Sequence, residues 1–303
     1  MFLSVIICTH NPRMDYLERV LKALRSQSLA TTRWELLLVD NASDDALSER
    51  IELSWHPGAR CIREDELGLT WARVRGVAEA RGDVLVYIDD DNVMSTDFLA
   101  KVVEIGETYP ILGSWGSGRI EPEFEMQPPA ELRPHLTRLA LRHYERAHWS
   151  NNPDDWSSTP VGAGLCIRRK VALEWAQRVR AGELITFGRT GQELLGGEDI
   201  TLALSARRFG LGWGTFPELR LTHLIPSGRL TKSYLLRLTE GSALSTVLIA
   251  EASGRRPPKA LSARVALKAV KWLTRGKFTQ LAFLRAHQRG IRRGHRLKVG
   301  GAL

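Results

Sequence analysis

No stretch of this 303-residue chain approaches the roughly 20 consecutive apolar residues that span a bilayer, which argues against a membrane-crossing helix. Met1-Phe2-Leu3-Ser4-Val5-Ile6-Ile7-Cys8 lacks a basic leader and a cleavage-like site, so it reads as a strand and not as a secretory signal. The expected location is cytoplasmic, or peripheral on the cytosolic face of a membrane. Cysteine is scarce: Cys8, Cys61 and Cys166 have no metal-ligand spacing, and two of them lie in apolar runs. That pattern excludes a disulfide framework and fits buried thiols in a reducing compartment. No G-x-G-x-x-G follows the first strand, which argues against a dinucleotide oxidoreductase. Acidic residues are missing altogether from residue 252 onward, where 14 Lys/Arg occur, so the net charge of +9 belongs to a tail. The first 251 residues carry 29 Lys/Arg against 34 Asp/Glu and are mildly acidic.

What the sequence does contain is a strand–helix alternation. At 43% hydrophobic content the chain can bury one large or two modest cores. Residues 3–8 form an apolar run, and Tyr16, Leu17, Val20, Leu21 and Leu24 follow at helical spacing. A second run, residues 34–39, ends in Asp40-Asn41-Ala42-Ser43-Asp44-Asp45, with a helix expected over Leu47 and Ile51. A weak third strand at 59–62, a helix over 66–78 closed by Arg81-Gly82-Asp83, and a strand at 84–88 come next. Such alternation predicts a mostly parallel sheet whose strand C-termini share one edge. Beyond residue 100 the expected elements are a small-residue strand or bend at 113–118, a long Pro/Glu-rich flap at 121–134, a helix over 136–149 and a glycine-containing strand over 161–169. Helices at 171–180, 201–209 and 236–250 and a strand at 213–221 complete the chain.

The fourth strand ends abruptly in Asp89-Asp90-Asp91-Asn92. Adjacent carboxylates raise one another's pKa, so an ionised cluster at a strand end implies a divalent cation. A solvated acidic turn is the plain alternative. Gly196-Gly197-Glu198-Asp199 precedes a helix; capping by Asp199 would explain one carboxylate but leaves Glu198 and both glycines unexplained. His223 follows a strand and becomes a candidate ligand if an acidic metal site lies near.

In order along the chain, Ser4 to Asn11, Val39-Asp40-Asn41-Ala42-Ser43, the set Gly68, Ala72, Arg73 and Gly76, Tyr87-Ile88-Asp89-Asp90-Asp91, and Glu198-Asp199 resemble the motifs of a family 2 glycosyltransferase with the GT-A fold, over residues 1–235. Val74 stands where the family's helix motif has Asn, so only Arg73 and Gly76 carry over. The resemblance implies an α/β GT-A catalytic domain at 1–235, with a nucleotide-binding half at 1–92 and an acceptor half at 93–235, and a helical basic region at 236–303. It implies that Thr9, Asn11, Asp40, Arg73, Asp89, Asp90 and Gly164 bind a nucleotide sugar, a UDP-sugar first, with Gly162 to Gly164 lining the sugar pocket. Asp89, Asp91 and His223 would hold Mn2+ or Mg2+. Asp199 would be the base that deprotonates an acceptor hydroxyl, with Glu198 the second candidate, in an inverting transfer to a saccharide or lipid-linked saccharide. Asp90 is the spacer expected to tolerate substitution best.

In the tail, Arg264, Lys268, Lys271 and Arg275 fall on one helical face in a segment containing Trp272, which reads either as an anionic-membrane binder or as a solvated helix docked on the acidic domain. Nucleic acid ranks lower because stacking aromatics are few. A sugar-phosphate nucleotidyltransferase would open with a Gly-rich phosphate loop, and Thr9-His10-Asn11-Pro12 has no glycine. A non-catalytic nucleotide-binding adaptor is disfavoured by the joint presence of Asp89, Asp91, Asp199 and His223.

Overall fold

The computed structural model describes residues 1–152, 154–184, 194–252, 256–259, 267 and 271–297. The chain begins β1 (Leu3–Thr9), α1 (Met14–Arg25), β2 (Trp34–Asn41), β3 (Ala59–Glu64), α2 (Leu69–Glu79), β4 (Val84–Tyr87), β5 (Asn92–Met94) and α3 (Phe98–Thr108). It continues with β6 (Leu112–Phe124), β7 (Arg142–His143), β8 (His148–Ser150), β9 (Leu165–Arg168), α4 (Arg169–Arg180), α5 (Glu198–Leu204), β10 (Gly212–Ile225), α6 (Lys232–Ala252) and α7 (Phe278–Arg296).

The strands form one sheet in the order β3-β2-β1-β4-β9-β6-β10-β5, with β7 added to β6 and β8 to β10. Parallel pairing holds across β3, β2, β1 and β4. Beyond β4 the sheet is mixed, since β9 runs antiparallel to both β4 and β6 and β5 antiparallel to β10. The runs on β1, β2 and β4 are continuously apolar because helices cover both faces of a parallel sheet. Leu3, Val5, Ile7, Leu36, Leu38, Val84 and Val86 pack with Leu17, Val20 and Leu24 of α1 in the main core. Each such buried aliphatic side chain contributes about 1.5–3 kcal/mol.

The chain forms two compact units. One comprises Met1–Glu123, Ala140–Arg180 and Glu198–Ile225; it contains the sheet core and every expected site residue. The other comprises Phe124–Leu139, Ala181–Gly197 and Pro226–Leu303. Within the second unit α7 lies against α6, with Ala243, Val247 and Ile291 buried together, and the His135 ring stacks on Phe283 at 3.5 Å.

Several elements differ from expectation. Residues 136–149 are not a helix: a 3-10 helix spans Ala130–Arg138, and the short strands β7, on β6, and β8, on β10, follow. Leu136 and Leu139 are buried, and Ala140 at φ 59° turns the chain away from helical geometry just after the 3-10 helix. The flap at 121–134 is instead shared by the end of β6 and the start of that 3-10 helix. The helix near Leu47 is one 3-10 turn, Leu47–Glu49. In the 161–169 segment only Leu165–Arg168 is strand, and residues 201–209 divide between α5 and a 3-10 turn. Of the expected basic face in the tail, Lys271 and Arg275 are exposed, while Arg264 and Lys268 lie outside the described residues.

Candidate active site

The site grows from the carboxyl edge of the parallel strands. Register places Thr9 beside Asp40 and Ile6 beside Tyr87, so β1, β2 and β4 release their polar ends together. The Thr9 hydroxyl donates to the Asp90 carboxylate, tying the two central strand ends, which gives Asp90 a bond that a spacer position need not have. Asn11, at φ 47°, donates from its side chain to Asp44 at 3.0 Å and accepts from the Asp44 N–H at 2.9 Å. The loops after β1 and β2 are thereby clasped.

Asp40 is 2% exposed, and its carboxylate accepts from the N–H groups of Ser43 and Leu47 and from Arg63 at 2.9 Å. Burial opposes its ionisation, but the hydrogen bonds from Ser43, Leu47 and Arg63 prevail and hold it below the usual carboxylate range. Asn41, beside it, accepts from the Gly68 N–H at 2.8 Å and donates to the Glu66 carbonyl at 2.7 Å, which fixes the entry to α2.

On α2, Arg73 is buried beneath the site. It forms an ion pair with Glu198 at 3.3 Å, and its guanidinium lies 5.5 Å from the centre of the Tyr87 ring. Burial alone would weaken its charge, but Glu198, Asp199 and Asp89 around it keep it firmly cationic. Cys8 feels the same field: burial above all pushes its thiol up to about 12, so at neutral pH it is neither a nucleophile nor a thiolate ligand.

Asp199 Oδ2 accepts from the Gly162 N–H at 2.7 Å, and Oδ1 from the Ile200 N–H at 2.9 Å. A Cβ at Gly162 would lie 2.7 Å from Arg73 Nη2 and 3.4 Å from Asp199 Oδ2, so glycine gives this loop its close approach to both side chains. Gly164, at φ 73°, donates its N–H to the Tyr87 carbonyl at 3.1 Å and turns the chain into β9.

Because β5 pairs with β10, His223 stands opposite Asn92. The Leu224 N–H donates to the Asp91 carbonyl at 2.8 Å, and His223 Nε2 comes to 3.4 Å from Asp91 Oδ2, both side chains buried. Asn92 Nδ2 holds the other Asp91 oxygen at 2.9 Å. Two hard or borderline donors at this separation suit neighbouring ligands of one divalent cation, whose bonds are about 2.0–2.2 Å. Among the described residues, no three His, Cys, Asp or Glu side chains close on one point as a complete cage. Asp91 and His223 are the two side chains here that could hold a cation, and Asp89 lies in the field of Arg73 and Cys8. A cation held by so few side chains would keep positions open for substrate phosphates.

Sequence reasoning did not identify Arg63, and it gave Asn41 and Tyr87 no role beyond their places in the motifs. Asn41 was visible as the amide after Asp40, whereas Arg63 arrives from β3 and had no local signal. A groove of about 800 Å³ beside α1, floored by Leu17, Leu21, Ile51 and Trp55, contains none of the expected site residues.

A family model, Glycosyl transferase family 2, matches residues 4–158. Human polypeptide N-acetylgalactosaminyltransferase 16 is 32% identical over 102 residues, 33% of this chain and 18% of that protein. Dolichol-phosphate mannosyltransferase of Pyrococcus furiosus is 36% identical over 106 residues, 34% of this chain and 30% of that protein. The matched stretch thus spans under a third of either relative. The mannosyltransferase PcManGT from Pyrobaculum calidifontis, solved in complex with GDP-Man and Mn2+, superposes with a TM-score of 0.57 at 17% identity, covering 97% of this chain and 73% of that one. That likeness shows the fold, which is GT-A.

Proposed function

Because this chain belongs to glycosyl transferase family 2, we propose that it is a metal-dependent inverting transferase. In this reading it moves a hexose-type sugar from a nucleotide-diphosphate donor to a hydroxyl of a saccharide or lipid-linked saccharide during surface glycan or polysaccharide assembly. The observation that carries the reading is the assembly, around buried Arg73, of Asp89 from the end of β4 and the Glu198-Asp199 pair from α5, with Asp91 and His223 joined through β5 and β10.

Thr9, Asn11, Asp40, Asp89, Asp90 and Gly164 frame the donor, Asp40 acting through the loop it folds. Asp91 and His223, with Asp89, would hold Mn2+ or Mg2+, which as a Lewis acid neutralises charge on the leaving diphosphate. Arg73 adds fixed positive charge to the same edge without reorganisation. Asp199 is oriented by the Gly162 N–H and serves as the general base on the acceptor hydroxyl, with a single displacement inverting the anomeric centre. Glu198 is committed to Arg73 and is the weaker base. GDP-Man in the archaeal structure and the uracil preference expected from sequence leave two donor nucleotides to test.

The decisive measurement is donor turnover with Mn2+ after a thermal-shift panel of UDP-, GDP- and dTDP-sugars. A donor at about 100 times its Kd raises stability by about 2.7 kcal/mol. Asp199→Ala is expected to slow transfer by roughly 100-fold or more. Full metal-dependent activity in Asp91→Ala would refute the metal assignment.

The basic tail supports a peripheral membrane location. On α7, Arg285, Arg292 and Arg296 are exposed at helical offsets 0, 7 and 11, with Phe278, 66% exposed, seven residues before the first. Leu267, Leu273 and Leu297 are exposed nearby in sequence, the combination of apolar and basic groups that lies on anionic bilayers. No helix among the described residues is long and apolar enough to cross a membrane.

A further inference from the structure

Arg142 on β7 is half-buried, yet among the described residues no carboxylate pairs with it. Its Nη1 donates to the Thr159 carbonyl at 2.8 Å, and its guanidinium lies 5.9 Å from the Tyr144 ring centre. Other arginines drawn into this unit are compensated differently. Arg60 pairs with Glu35 and Glu79, Arg63 with Asp40 and Arg73 with Glu198. Arg168, which also lacks a carboxylate, instead donates to the carbonyls of Leu112, Gly106 and Tyr109. Arg142 has one carbonyl for five N–H groups. A half-buried guanidinium whose other N–H groups remain open to solvent is placed to gain a charge-assisted contact from an anion that joins it.

Its place in the fold is informative. Thr159 precedes Gly162, whose N–H holds Asp199, and Arg142 lies within the electrostatic reach of Asp199 while burial opposes its charge. The Thr159 hydroxyl is itself buried and has no hydrogen-bond partner among the described residues. A buried hydroxyl without a partner and a guanidinium with accessible N–H groups thus lie beside the loop whose Gly162 N–H holds Asp199.

We propose that the acceptor carries a phosphate ester and that Arg142, with the Thr159 hydroxyl, receives it next to Asp199. This rests on the transferase reading for the word acceptor. The anion site itself does not. Recognition of a phosphate by a planar guanidinium fork plus one hydroxyl is chemically matched, and it would orient the neighbouring sugar or polyol hydroxyl toward Asp199.

The test is calorimetric titration of the full chain with inorganic phosphate, glycerol 1-phosphate and glucose 6-phosphate against glycerol and glucose, with Mg2+, both without nucleotide and with UDP or GDP. At least one phosphate probe is expected to bind tenfold or more tighter than its neutral counterpart. That gain should vanish in Arg142→Gln, whose amide can still donate to the Thr159 carbonyl, and survive only in part in Arg142→Lys, which keeps the charge and loses the fork. Equal affinity of charged and neutral probes, or undiminished phosphate binding in Arg142→Gln, overturns the proposal. Arg142-dependent phosphate binding in a protein that binds neither nucleotide would keep the anion site and refute the transferase. A preference for UDP-glucuronate over UDP-glucose that disappears in Arg142→Gln would place the anion on the donor and also overturn it.

Discussion

At the scale of single residues, Glu198 and Asp199 are adjacent in sequence and separable in role. Glu198 neutralises a buried guanidinium, so Glu198→Gln should cost about 3–5 kcal/mol of stability, read as a lowered denaturation midpoint. Asp199→Asn retains a carbonyl oxygen for the Gly162 N–H and should melt near the parent while losing transfer. His56 offers a pH-dependent test. It is buried against the Trp34 ring, its Nδ1 accepts from the Gly58 N–H at 3.1 Å, and burial lowers its pKa. A depressed pKa means the neutral form is favoured by folding, so this contribution is complete above the unfolded value of about 6.5 and is lost as pH falls through the lower folded value. Chemical denaturation between pH 8 and 5 should show that decline, and His56→Leu should flatten it. The carboxylates at strand ends were legible in sequence because charge after an apolar run is conspicuous. The clamp on Asp40 was not, since Arg63 meets it only through the pairing of β2 with β3.

At the scale of elements, β1, β2, β4, α1 and α2 follow their apolar periodicity closely, because parallel strands buried on both faces have an unambiguous pattern, whereas the helix expected over Leu47 and Ile51 is a single 3-10 turn. The strands β7 and β8 left no signal in the sequence because they are two and three residues long, exposed at His143, His148 and Trp149, and paired with the distant β6 and β10 and not with each other. The packing of α7 on α6 leaves less room for change. A Cβ at Gly294 would lie 2.6 Å from Val247 Cβ, and one at Gly290 2.8 Å from Ala243 Cβ. Gly294→Val should force the helices apart and cost roughly 1–3 kcal/mol, visible as early exchange of α7 amides. Arg289→Ala, which removes one exposed partner of Glu240, should cost at most about 1 kcal/mol.

At the scale of the whole molecule, charge is divided along the chain, mildly acidic before residue 252 and wholly basic in its charged residues after it. Reversing Arg285, Arg292 and Arg296 to Glu should weaken binding to phosphatidylserine vesicles by more than tenfold at moderate salt, since each basic residue near an anionic surface contributes about 1 kcal/mol. Deleting residues 255–303 should release the protein altogether, and unchanged co-sedimentation in either variant would count against membrane attachment.

The ion pair under the site has a historical corollary. Since Arg73 answers to Glu198, Asp199 and Asp89 together, neither member of the Arg73–Glu198 pair can drift alone. Replacing both by apolar residues should harm folding less than replacing either, so descendants that lose one are expected to have lost both, in step, along with the chemistry they frame.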